Sequence, residues 1–186
     1  MRIKEQKIPS DSLIETALNR TDYWDSFSVE VPIPSDEILE QMPISFFKVT
    51  PNWFRYLMYF RERIAKMIGL KTGEGANVEQ QLKEFKGEVG QSISLFHVLG
   101  RTEEEIMVGE SDSHLDFRLS YFAIPKSEMV TELHLSTTVE FNNWLGRLYF
   151  LPVGPIHRII VPIILKRMAQ ELLRWKEEVK GSGVRR

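Results

Sequence analysis

Gly146-Arg147-Leu148-Tyr149-Phe150-Leu151-Pro152-Val153-Gly154-Pro155-Ile156-His157-Arg158-Ile159-Ile160 is the stretch on which the fold turns, because it opens an apolar run that keeps helical spacing to about Lys180. Gly154 near the cap and Pro155 in the first turn mark a helix start, since a first-turn proline forfeits no intrahelical bond, and the helix is predicted to end before Gly181. Ile156, Ile160, Ile163, Ile164, Met168, Leu172 and Trp175 form its apolar side. Pro162 lies about a turn past the start, where a missing N–H bends a helix. Such a face needs an apolar cover, and the residues from Gly90 onward supply a sheet.

After Gly90 the periodicity becomes strand-like. One run spans Ser92 to Leu99, a second Glu105 to Gly109, a third Ser113 to Ile124 and a fourth Met129 to Phe141. The short turns between them predict an antiparallel meander, because parallel pairing needs long crossovers. In the third run Leu115, Phe117, Leu119 and Tyr121 alternate with His114, Asp116, Arg118 and Ser120; in the fourth Leu133, Leu135, Thr137, Val139 and Phe141 alternate with Glu132, His134, Ser136, Thr138 and Glu140. This pattern predicts one face under the C-terminal helix and one solvated face.

Upstream, Asp11 to Arg20 reads as a short helix capped by Asp11 or Ser10, and Phe27 to Val31 as a half-buried strand stopped by Pro32 and Pro34. Ser35 caps a brief helix through Met42, and Ile44 to Val49 reads as another strand that pairs with the meander. Thr50-Pro51 opens a helix to Gly69 whose stripe of Trp53, Leu57, Phe60, Ile64 and Met67 calls for burial rather than for a membrane surface. From Lys71 to Gly90 the composition predicts a flexible connector with a turn or two of helix over Val78 to Phe85. Its Gly73-Glu74-Gly75 lacks the third glycine of a dinucleotide fingerprint. The expected organisation is an N-terminal segment over 1–22, a single domain over 23–180 and a disordered tail over 181–186.

A length of 186 residues with 42% hydrophobic content suits one sizeable core. A net charge of -2 and a pI near 6.1 leave no excess basic field for a nucleic-acid backbone, so none is expected as a partner. Without cysteine there are no disulfides and no thiolate chemistry, which suits a reducing cytoplasm. His97, His114, His134 and His157 form no close pair of metal-ligand spacing, so no metal is expected, and no cofactor. Met1 to Lys7 carries charge with no apolar run behind it, unlike a secretory signal. The most apolar window, Leu148 to Leu165, is broken by Pro152, Pro155, His157, Arg158 and Pro162, which argues against a membrane span.

The order of a strand, helices, an antiparallel meander and a closing helix is similar to the helix-grip architecture of the START and birch-pollen-allergen superfamily, giving an expected α+β class. Gly109-Glu110-Ser111-Asp112-Ser113-His114-Leu115-Asp116-Phe117-Arg118, Gly146-Arg147-Leu148-Tyr149-Phe150 and Pro155-Ile156-His157-Arg158 resemble the bacterial domain-of-unknown-function family 2867, as do Pro51-Asn52-Trp53 and Met67-Ile68-Gly69-Leu70-Lys71. The resemblance covers roughly Tyr23 to Leu173. It implies a cavity between sheet and helix, often used for apolar ligands, and no particular activity. Some relatives carry the domain behind a dehydrogenase-like domain.

Chemistry-bearing residues concentrate in three places. His114, Asp116, Arg118 and Ser120 put an acid–base group, a carboxylate and a cation on one strand face, although a solvated face with cross-strand ion pairs has the same pattern. His97 alternates with Ile93, Leu95 and Leu99, which places it on an otherwise apolar face as a satisfied core histidine or a cavity donor. Arg147, His157 and Arg158 gather positive charge beside the predicted helix start, where the dipole already favours anions; they call for an acidic partner or an anionic ligand. Trp144, Tyr149 and Phe150 sit near the expected mouth. The leading reading is a binding domain for a hydrophobic or anionic small molecule. A cyclase, hydratase or isomerase using His114 or His97 with Arg118 or Arg147, and a partner-docking module, are the other two.

Overall fold

The computed structural model describes residues 1–50 and 77–181. Its strands are β1 (Lys4–Glu5), β2 (Tyr23–Val31), β3 (Ser92–Ile93), β4 (Phe96–Arg101), β5 (Glu105–Ser111), β6 (Leu115–Ser127) and β7 (Val130–Phe141). They form one sheet in the order β1-β2-β7-β6-β5-β4-β3, with every pairing antiparallel. Helices α1 (Ser35–Ile38), α2 (Gln41–Val49), α3 (Val78–Glu84) and α4 (Trp144–Gly181), with a 3-10 turn at Leu13–Thr16, complete the described residues. The helix predicted over 51–69, Gly73-Glu74-Gly75 and residues 182–186 lie outside them.

β2 pairs with β7, so the first long strand meets the last, and the curved sheet presents one face to α4. Val29, Leu119, Leu133 and Leu135 from that face meet Ile164, Leu165, Met168 and Leu172 of α4. Each side chain of this size contributes roughly 1.5–3 kcal/mol when fully buried, so this layer stabilises the domain through burial. The α+β class and the helix-grip-like arrangement of a curved antiparallel sheet on a long C-terminal helix agree with the sequence reading.

Local elements depart from it where side-chain chemistry overrides pattern. The predicted strand from Ser92 to Leu99 is a hairpin: Ser94 adopts φ 56°, and Ile93 pairs with Phe96 across the turn. That left-handed conformation suits a tight turn but is uncommon outside glycine and asparagine, so the residue type did not announce it. Ile44 to Val49 is not a strand but the end of α2, whose Met42 and Phe46, four residues apart, bury together. The 3-10 turn is capped by Ser12, whose Oγ accepts from Ile14 N, rather than by Asp11 or Ser10. Beyond α3, the end of the predicted connector is a tied turn in which Gln91 Oε1 accepts from Lys86 N and Glu88 N.

α4 starts at Trp144 rather than at Gly154. Asn143 caps it, its Oδ1 accepting from Leu145 N at 3.0 Å and Gly146 N at 3.2 Å. Pro152, Pro155 and Pro162 therefore lie inside the helix. The carbonyls they leave without intrahelical donors belong to Leu148, Leu151 and Arg158, all exposed residues. By length and composition α4 could cross a membrane, but its inner side is committed to the core.

Candidate functional site

Two apolar clusters fill the space between sheet and helix. The larger is the core already described. The smaller, at the other end, joins Leu115, Val139 and Phe150 with Tyr23, Phe117, Phe141, Tyr149 and Val153. Between them lies a cavity of about 150 Å3, walled by Leu119, Leu135, Ile160 and Val161 from the large cluster and by Leu115, Val139 and Phe150 from the small one. Protein interiors leave few voids larger than a water molecule, whereas an apolar gap of this size takes a benzene-sized guest.

The wall has one polar corner. His157 of α4 lines the cavity, and its Nδ1 lies 2.6 Å from Oδ2 of Asp25, whose side chain has no solvent exposure. Tyr23 donates its hydroxyl to the same oxygen at 2.7 Å. Burial, and after it the hydrogen bond and charge of Asp25, hold the Tyr23 phenol well above its ordinary range. Thr137, directly opposite Asp25 in the β2–β7 register, also lines the cavity. Thr137 Oγ1 and Asp25 Oδ1 are buried with no hydrogen-bond partner among the described residues. A buried polar group left that way costs roughly 1–3 kcal/mol.

At the other end of the wall is His114, buried, with its ring edge-on to Tyr149 at 5.6 Å and its Nδ1 3.5 Å from Asp112 Oδ2. It precedes β6, so the alternation that begins at Leu115 does not extend to it, and it does not share a face with Asp116. α4 enters against this turn: a Cβ at Gly146 would fall on the His114 carbonyl oxygen.

The predicted row therefore separates. Asp116 accepts from Asn142 Nδ2, and Arg118 donates to the Glu110 and Phe117 carbonyls on the opposite face of the sheet. That face is not simply solvated. Ser120 is buried with Glu105, which also accepts from Ser12 Oγ and Leu13 N, each at 2.6 Å, and so fastens the N-terminal segment over the sheet. His134, on the same face, is buried, and burial lowers its pKa against the opposing pull of Glu132. Burial raises the pKa of Glu132, but bonds from Lys126 and Ser28 outweigh it and leave a net lowering. His97 is exposed and paired with Glu110 at 3.0 Å, because the hairpin at Ser94 resets the alternation and turns it away from the cavity.

Among the candidates near the predicted mouth, the structure brings Tyr149 and His157 to the wall, while Trp144, Arg147 and Arg158 are exposed. With α4 beginning at Trp144, His157 and Arg158 lie in mid-helix, so the predicted cationic cluster at a helix N-terminus does not form. The acidic partner of His157 is Asp25, and Arg158 lies over the Tyr23 ring at 5.9 Å. Asp25 was missed by the sequence reading. Its signal was available: it occupies the inward row with Phe27, Val29 and Val31, where a carboxylate is out of pattern. No group of three or more metal-capable side chains occurs among the described residues.

The family model described as Protein of unknown function (DUF2867) matches residues 17–164. No curated protein and no solved structure matches the chain. The chain belongs to this family.

Proposed function

From membership of a family whose description names no activity, and from the cavity itself, we propose that the protein binds a small, mainly apolar, uncharged molecule with one hydrogen-bonding group. The observation that carries this is the division of the core: a cavity of about 150 Å3 separates two apolar clusters, with His157, Asp25 and Thr137 at one corner. Size favours a single ring or a short chain, since drug-sized ligands occupy several hundred cubic ångströms. Charge favours a neutral guest: Arg118, Arg147 and Arg158 are not on the described wall, and the ionisable pair at the corner includes a carboxylate. The helix-grip-like arrangement of sheet and helix resembles that of the START and birch-pollen-allergen superfamily, whose cavities often take apolar ligands, and the resemblance supports the same reading.

Native mass spectrometry of the purified chain, followed by solvent extraction, tests it. A small neutral compound retained by the wild type and lost in Val161→Trp, with the variant still folded, is the expected result. A chain that retains nothing and binds no phenol, toluene or short-chain alcohol contradicts the proposal.

An enzyme of the isomerase, hydratase or cyclase kind is the second reading, favoured by His157 standing between the cavity and buried Asp25. A carboxylate placed so orients an imidazole for proton transfer. Exchange of deuterium from solvent into a bound cyclic ketone, abolished by His157→Gln with binding retained, would support it; equal exchange in both proteins would count against it.

A further inference from the structure

α4 carries a second apolar side, turned away from the sheet. At 3.6 residues per turn, Trp144, Leu148, Leu151, Ile156, Ile159 and Ile163 lie along one stripe opposite the buried Phe150, Ile164 and Met168. Trp144, Leu148, Leu151 and Ile159 are 68%, 59%, 74% and 67% exposed, and Ile156 and Ile163 nearly half. Single exposed hydrophobic residues are ordinary on a protein surface, but a contiguous stripe over about five turns marks an interaction face.

Charge indicates what covers it. From Phe141 to Gln170 the sequence contains Arg147, Arg158, Lys166 and Arg167 and no Asp or Glu, within a chain of net charge -2. All four are exposed. On the helical wheel Arg147 and Arg158 border one edge of the stripe, Arg167 borders the other, and Lys166 continues its line. Arg147 is felt by Asp22, and Arg158 sits on the Tyr23 ring; Lys166 and Arg167 have no ion pair among the described residues. A second copy of the chain would set these same cations against each other, with no acid in the stripe to answer them. An anionic bilayer answers both features, since apolar side chains enter the boundary between headgroups and acyl chains while cations meet lipid phosphates. Trp144 suits the interfacial level.

We propose that the outward side of α4, from Trp144 to Ile163 with Arg158, Lys166 and Arg167, lies flat on an anionic lipid surface. Spanning is unavailable to this helix without dismantling the core, because its inner side holds Phe150, Val161, Leu165 and Met168. Ile156 belongs to both the stripe and the cavity wall, so the cavity reaches the docked side. The docking itself does not depend on a ligand in that cavity.

Co-sedimentation of the full chain with vesicles of phosphatidylcholine, alone or mixed with phosphatidylserine, tests the proposal. The chain is expected to pellet with the mixed vesicles, to favour them over neutral ones, and to dissociate as salt rises. Leu148→Glu combined with Leu151→Glu, both at exposed positions and checked for unchanged thermal unfolding, should abolish binding. Lys166→Gln with Arg167→Gln should weaken it roughly 25-fold, at about fivefold per cation near the surface. No vesicle binding overturns the proposal, as does binding that ignores lipid charge and salt. A self-associated chain dispersed by the Leu148 and Leu151 changes, without vesicle binding, would assign the stripe to contact between copies instead.

Discussion

Thr137→Val keeps the β-branched shape and the strand position while deleting a buried hydroxyl that has no hydrogen-bond partner among the described residues. An unpaired buried hydroxyl costs roughly 1–3 kcal/mol, and the substitution removes that cost without opening a cavity. Strand propensity changes little between the two residues. The ligand-free protein should therefore gain about 1–2 kcal/mol. At roughly 2–4 °C per kcal/mol for a chain of this length, the melting temperature should rise by about 2–8 °C. Ligand binding should move the other way. If the hydroxyl is held for the polar group of a guest, its loss removes a neutral hydrogen bond of about 0.5–1.5 kcal/mol, or roughly two- to tenfold in Kd. Calorimetric melts of both proteins, with titrations of phenol and toluene as probes, separate the effects: phenol should weaken in the variant and toluene should not. A fall in melting temperature would show that the hydroxyl already has a partner, and would refute the reasoning. So would equal weakening of both probes.

Further expectations concern the frame around the cavity. Gly146→Ala should lower stability, although alanine is the better helix former by about 1 kcal/mol. Its Cβ would fall on the His114 carbonyl oxygen, which already accepts from Asn142 N, and shifting packed backbone costs roughly 1–3 kcal/mol. A higher melting temperature for Gly146→Ala would contradict the close approach of α4 to that turn. His134 sets a pH dependence. Burial lowers its folded pKa, so its stabilising contribution is full above the ordinary value of 6.5 and is lost as pH falls below that towards the lowered folded value. The lowered Glu132 loses its contribution in a separate window, below 4.5. Urea unfolding at stepped pH should show stability falling from about pH 6.5 downward. His134→Asn should flatten that upper limb, and an unchanged slope would argue against burial of a neutral imidazole.

The inward rows of β6 and β7 were legible because alternation with period two is a direct image of a sheet with one apolar side. The helical rows of α4 were legible for the same reason at period 3.6. Boundaries were harder. Pro155 looks like a helix start, yet it lies inside α4, whose beginning the Asn143 cap decides. Ser94 makes a hairpin without glycine. The site was partly readable: Tyr149 and His157 were picked out and do line the cavity. The acidic partner that the cationic cluster calls for is, at His157, Asp25, a contact across 132 positions that no local pattern encodes. Alternation also separates two faces without saying what lies over each, and the N-terminal segment is fastened over Glu105 and Ser120 on the face that reads as solvated.

The cavity between the two apolar clusters is the proposed seat of a small neutral guest. Methyl-resolved NMR of the intact chain titrated with phenol tests it most directly, because the wall is built from methyl-bearing residues on both sides. Saturable shifts centred on wall methyls such as those of Leu115, Leu119, Leu135, Val139 and Val161, with the Thr137 methyl among the most affected, are the predicted result. Titration without saturation, or shifts confined to Leu148 and Leu151 on the outer side of α4, would contradict it.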